Sequence, residues 1–217
     1  MHAAIFDIDG TLLDSCAVDN ALYVEAIRHV LGQVRIRDAW ELYDRVTDTG
    51  ILDDICGDNA LCYSDALSDS IRDVFLNRLS AHMAVHGPYQ QMPGALRYFH
   101  GLRQRQDVRV AYATGGWRAS AELKLSSAGF PLQQIPLASA NDHRDRRQIM
   151  LHALAQLDGP FETITYFGDG VWDRQASRDL GWQFVPVGPK LGGISSFENP
   201  AAHGLPCAAV LDMHERI

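Results

Sequence analysis

The chain has 217 residues, 47% of them hydrophobic and 21% charged, which suits one folded domain with room for a smaller insert. Its formal net charge of −8 argues against nucleic acid or an anionic membrane surface as a partner, and no apolar stretch approaches the roughly 20 residues that a membrane-spanning helix needs. The four cysteines (Cys16, Cys56, Cys62 and Cys207) form no CxxC pair and no zinc spacing, and the scattered histidines, such as His2, His29, His82 and His86, form no HExxH pair; reduced thiols in a cytoplasmic protein without a leader segment are expected.

Residues 3–15 read Ala-Ala-Ile-Phe-Asp-Ile-Asp-Gly-Thr-Leu-Leu-Asp-Ser. The apolar run predicts a buried parallel strand, with Asp7 and Asp9 at its carboxyl end, the edge at which open α/β sheets bind ligands. Burying an unpaired carboxylate is costly, and two so close repel each other unless a cation lies between them. A divalent metal with a phosphorylated substrate is the simplest resolution, and the acidic net charge is no obstacle, because a bound cation inverts the local field.

From about Cys16 to Gln91 the pattern is helical, with no clear strand. Ala21, Leu22, Val24, Ile27, Val30 and Leu31 fit one helix face; Ala39, Trp40, Leu42, Tyr43 and Val46 suit a second helix; Leu67, Ile71, Val74, Phe75 and Leu79 fit a third. Gly32, Gly50, Gly57 and Gly87-Pro88 punctuate them. Ser15 reads as a helix N-cap. Thr47-Asp48-Thr49-Gly50 reads as a polar loop between helices, one that could reach the ligand.

Beyond the insert, strands and helices alternate. A helix over Gly94–Arg105 leads to a strand over Val108–Thr114, which ends in Thr114-Gly115-Gly116. Glycines there let the backbone approach an anion, and the next helix, Ala119–Ala128, offers its N-terminus. Lys124 has the polar-face spacing of a helix-surface lysine. A strand over Ile135–Ser139 precedes a basic stretch, Asn141-Asp142-His143-Arg144-Asp145-Arg146-Arg147-Gln148, and a helix over Ile149–Leu157. The strand Thr163–Phe167 runs into Gly168-Asp169-Gly170-Val171-Trp172-Asp173, in which Asp173 also suits the first turn of a helix. Trp182–Val187 supplies a fifth strand. Trp117 and Trp172 either line a pocket or pack the insert on the core. The alternation predicts βαβ units and a parallel sheet with right-handed crossovers.

Asp7-Ile8-Asp9-Gly10-Thr11 resembles motif I of the haloacid dehalogenase (HAD) superfamily of phosphohydrolases. Thr114 ends a strand as motif II does, and Gly168–Asp173 resembles the GDxxxD of motif IV, all in the family's order between Ala3 and about Val187. The resemblance implies an α/β fold: a Rossmann-like parallel-sheet core (residues 1–15 and 92–217) with an all-helical C1 cap (16–91) inserted after the first strand, over the site. It implies that Asp7 is the nucleophile and Asp9 the general acid/base, that Thr114, Gly115 and Gly116 bind phosphoryl oxygens, and that Mg²⁺ is held by Asp7, the Asp9 backbone carbonyl and Asp169, with Asp173 as a further ligand or a neighbour. Motif III is usually a lysine, often in Lys-Pro, and this chain has no Lys-Pro. Arg146, three residues before Ile149, is expected in its place, since arginine keeps the charge and adds bidentate donors; Arg144, Arg147 and Lys124 are the alternatives.

The implied activity is Mg²⁺-dependent hydrolysis of a small soluble phosphomonoester, such as phosphoglycolate or a sugar phosphate, through an aspartyl phosphate, by a monomer or homodimer. A phosphomutase of the β-phosphoglucomutase type would use the same aspartates. A non-catalytic binding protein on the same scaffold is the third reading, which Asp7, Asp9 and Asp169 together argue against. Dehalogenases and phosphonatases fit less well, because they lack an aspartate at the position of Asp9.

Overall fold

The computed structural model describes residues 1–198; Cys207 and the end of the expected core lie outside the described residues. Five parallel strands form one sheet in the order β3-β2-β1-β4-β5: β1 (His2–Phe6), β2 (Val108–Ala113), β3 (Leu137–Ala138), β4 (Thr163–Gly168) and β5 (Gln183–Pro186). β1 is central, with His2 beside Val108 on one side and Thr163 on the other. Both of its faces are covered, which is why it reads as an unbroken apolar run. On one face Phe6 stacks on Phe167, centroids 4.3 Å apart. That layer continues through Phe99 and Tyr112, beneath α4 (Ala95–Arg103) and α5 (Arg118–Ser127). The other face packs Ile5, Ala111 and Tyr166 against α6 (Arg146–Ala155) and α7 (Val171–Asp179).

Between β1 and β2 the chain is helical: α1 (Cys16–Leu31), α2 (Asp48–Asp58) and α3 (Asp65–His86). They share an apolar centre of Tyr23, Ile27, Leu52, Ile55, Ile71, Phe75 and Leu79 that is continuous with the aromatic layer of the sheet. Trp117, buried at the start of α5, joins the two by edge contacts to Tyr23 and Phe75. This tryptophan therefore packs the insert on the core, while Trp172 lines the cavity described below.

Three local expectations are corrected. Residues 39–46 carry only a short 3₁₀ turn, Trp40–Leu42, and the second helix starts later. Thr47, in extended conformation, accepts the Gly50 N–H at 3.1 Å and so caps α2, whose buried stripe is Ile51, Leu52, Ile55 and Cys56. Thr47-Asp48-Thr49-Gly50 is thus a helix start and not a free loop. Ser15 occupies the N-cap of α1 without capping it; its hydroxyl donates to Asp9 instead.

Candidate active site

The site lies at the carboxyl edge of the three central strands. Asp7 follows β1, Thr114 follows β2 and Asp169 follows β4, so one register brings together residues far apart in sequence. Oxygens of Asp7, Asp169 and Asp173 lie within 4.8 Å of one another, and all three residues are buried. Local structure fixes each. Gly10 has φ +75°, and a Cβ there would sit 2.5 Å from Asp169 Oδ2, so only glycine lets the turn after β1 close over that carboxylate. Asp173 stands in the first turn of α7, where its Oδ2 accepts the Gly170 N–H at 3.1 Å.

Two of these buried acids, Asp7 and Asp173, resist ionisation. Burial, and then Asp173, push Asp7 well above the usual carboxylate range, while Arg146 pulls it down. Burial pushes Asp173 up to about 6, against the pull of Arg146. The cluster needs positive charge, and one all-oxygen donor set of this kind suits Mg²⁺. Arg146 supplies part of it. It is the first residue of α6, which Asp145 caps by accepting the Arg147 N–H at 2.9 Å and the Gln148 N–H at 3.3 Å. Its Nη1 donates to Asp7 Oδ1 at 3.2 Å, its Nε lies 3.4 Å from Asp173 Oδ1, and its Nη2 donates to the Val46 carbonyl at 3.3 Å. Lys190 Nζ donates to Asp169 Oδ2 at 2.9 Å from the cavity mouth; its sequence surroundings carry no recognisable motif, and only the fold brings it here.

The other basic candidates are elsewhere. Arg144 pairs with Asp53 at 3.0 Å and lies over the Tyr63 ring, and Arg147 pairs with Asp145. The surface reading of Lys124 is wrong. It is 1% exposed, and its Nζ donates to Asp9 Oδ1 at 2.6 Å and to Asp19 Oδ2. Its helix face is covered by the insert: α3 packs against α5, and α1 brings up Asp19. Burial alone would discharge the lysine, but Asp19 and Asp9 outweigh it and raise its affinity for the proton. The Asp9 carboxylate is held by Ser15 and Lys124 and is not one of the three clustered acids.

Thr114 is buried, and its Oγ1 accepts the Gly116 N–H at 3.1 Å, so its own proton is what it has to offer a ligand. The Gly115 carbonyl accepts the Asp48 N–H at 2.7 Å, which docks the start of α2 on the end of β2. Asp48 Oδ2 accepts the Trp117 N–H at 2.8 Å, and Thr47 Oγ1 donates to the Arg144 carbonyl. The result is a cavity of about 110 Å³ with Asp7, Asp9, Thr114, Arg146 and Asp169 on the sheet side and Asp19, Tyr23, Trp40, Asp48 and Phe75 on the helical side.

Residues 1–181 match the family model described as haloacid dehalogenase-like hydrolase. Solved structures with the same fold include a hydrolase from Pseudomonas syringae (20% identical, TM-score 0.67, covering 86% of this chain and 84% of that one). CbbY from Rhodobacter sphaeroides in complex with phosphate is 18% identical, with a TM-score of 0.62, over 97% of this chain and 91% of that one. β-Phosphoglucomutase from Clostridium difficile is 15% identical, with a TM-score of 0.67, over 86% and 84%. No curated protein matches by sequence.

Proposed function

This chain belongs to the haloacid dehalogenase-like hydrolases, and from that membership and the geometry of its cavity we propose that it is a Mg²⁺-dependent phosphomonoester hydrolase working through an aspartyl phosphate on Asp7. The observation that carries the reading is the buried set of Asp7, Asp169 and Asp173 with Arg146 against it: three acids and one fixed cation leave room for a metal and a phosphoryl group and little else. CbbY, which shares the fold, holds phosphate.

Asp7, Asp169, Asp173 and the Asp9 backbone carbonyl would hold Mg²⁺, which would neutralise the acids and the phosphoryl oxygens. Asp7 attacks phosphorus with one carboxylate oxygen and the P–O bond to the alcohol breaks. Asp9 gives its proton to the departing oxygen, then takes one from the water that attacks the aspartyl phosphate and releases inorganic phosphate. Arg146 and the Thr114 hydroxyl, with the Gly115 and Gly116 backbone, grip the equatorial oxygens, the positioning on which phosphoryl transfer mostly depends. Residues 16–91 act as the cap, since α2 docks on the end of β2 and closes the cavity. Among the described residues no helix is long and apolar enough to cross a membrane, and Cys16, Cys56 and Cys62 are free thiols; a cytoplasmic location fits both.

The test is hydrolysis of p-nitrophenyl phosphate and a panel of phosphate esters. Wild type should turn over with Mg²⁺ and stop with EDTA, and Asp7→Asn should lose all measurable turnover, because a carboxamide is a poor nucleophile. Wild-type rates from Asp7→Asn would remove the aspartyl phosphate. Return of the phosphoryl group to a sugar in place of free phosphate would make the enzyme a mutase.

A further inference from the structure

Among the described residues, the helical side of the cavity carries no cation of its own. Five carboxylates line the cavity (Asp7, Asp9, Asp19, Asp48 and Asp169) against two basic residues, Arg146 and Lys190, and both of these are tied to the phosphoryl end, Arg146 by Asp7 and Asp173, Lys190 by Asp169. Lys124 is spent between Asp9 and Asp19. A divalent cation and a phosphoryl dianion cancel each other, so the filled site stays net negative. Asp48 sharpens this. It stands at the start of α2 with one oxygen on the Trp117 N–H and no partner for the other among the described residues. Burial holds its carboxyl up to about 7, the Trp117 N–H only partly opposing. The rings of Tyr23, Trp40 and Phe75 line the same cavity, and aromatic faces attract an ammonium group.

We propose that the leaving alcohol is small, carries hydrogen-bond donors and no negative charge, as in phosphorylated amino alcohols and polyols, and that Asp48 is the residue that selects it. This rests on the phosphatase reading and adds its substrate class. An engineered cavity of about 150 Å³ holds one benzene, so about 110 Å³ takes a phosphoryl group and a few more heavy atoms. A carboxylate or second phosphate on the alcohol would face Asp48, with which no lysine or arginine pairs among the described residues. An ammonium or hydroxyl donates to the open oxygen of Asp48.

The experiment compares kcat/KM, with Mg²⁺ at pH 8, for ethanolamine phosphate, glycerol 1-phosphate and phosphoglycolate, with p-nitrophenyl phosphate reporting hydrolysis itself. Ethanolamine phosphate and glycerol 1-phosphate should exceed phosphoglycolate by at least about tenfold, the effect of one modest like-charge contact. Asp48→Asn should shrink the ethanolamine phosphate to phosphoglycolate ratio by about tenfold, mostly through KM, whereas Asp69→Asn, which removes an exposed acid of α3, should leave the ratio unchanged. Preference for phosphoglycolate, or an unaltered ratio in Asp48→Asn, overturns the inference while hydrolysis of p-nitrophenyl phosphate keeps the phosphatase reading. No hydrolysis of any ester overturns both.

Discussion

Lys124 carries its ammonium group to a place where only Asp9 and Asp19 can answer it. One of these acids follows β1 and the other is on α1, so the lysine ties insert to core at the carboxylate proposed as the acid/base. Lys124→Met keeps the apolar stem and removes the charge, leaving two acids facing each other without a counter-ion. Breaking a buried ion pair from one side destabilises by on the order of 3 kcal/mol, a loss a urea titration reads directly, and kcat should fall with it. A change under about 0.5 kcal/mol, usual for exposed positions, would restore the surface reading. Nothing local in Glu122-Leu123-Lys124-Leu125 announces this role, because helix periodicity says which residues share a face but not what later covers it. Asp7 and Asp9 were legible for the opposite reason: two acids ending an apolar strand are a local conflict, visible within a few residues. Arg146 was legible only through the resemblance, which says that a cation belongs there; that this arginine meets Asp7 follows from Asp145 starting α6 where it does.

At the scale of elements, the end of β2 and the start of α2 meet in a closely packed joint beside the cavity. A Cβ on Gly115 would lie 2.5 Å from Arg146 Nη2 and 2.9 Å from the Val46 carbonyl oxygen. The guanidinium end can swing aside, but the Val46 backbone cannot move without dragging α2. Gly115→Ala should therefore cost about 1–3 kcal/mol, as overpacking usually does, and should lower kcat/KM by displacing Arg146 from Asp7; a melt and a rate on one substrate check both, and wild-type values in each would mean that the joint is looser than drawn. Sequence pattern gave the strand and helix alternation well, since buried parallel strands and amphipathic helices carry different periods. It misplaced the second helix because apolar residues at 39–46 satisfy a helix count although Trp40 and Tyr43 pack as single aromatics in irregular chain. Of α7 only the start was legible, through Asp173 as a first-turn residue, because its nine residues hold few apolar positions.

Across the whole molecule, the buried acids set an unusual response to pH. Burial raises Asp48 to about 7 and Asp19 and Asp173 to about 6, and holds Asp7 higher than its ordinary value. Unfolded, these groups titrate near 4. Between about pH 4 and 7 the folded chain therefore binds more protons than the unfolded one, and stability must fall as pH rises through that window. The metal-free protein should melt at a higher temperature at pH 5.5 than at pH 7.5. Mg²⁺, if it binds the ionised cluster as proposed, should reverse the trend: at a hundred times its dissociation constant it adds about 2.7 kcal/mol, and its effect on Tm should be larger at pH 7.5 than at 5.5. A metal-free Tm that climbs steadily from pH 5.5 to 7.5 would contradict the uncompensated cluster.

The central place of β1 in the sheet also has a consequence in time. The strand is synthesised before either of its neighbours, and its partners at Val108 and Thr163 follow more than a hundred residues later. Helices α1 to α3, whose mutual contacts are local, can collapse while β1 waits. Asp7, the proposed nucleophile, is thus made well before the strands that enclose it, and closing so distant a pairing is the slow kind of folding event. Until β4 arrives, Asp7 and Asp9 remain hydrated and without Asp169, so the nascent chain carries its proposed nucleophile long before the rest of the site exists.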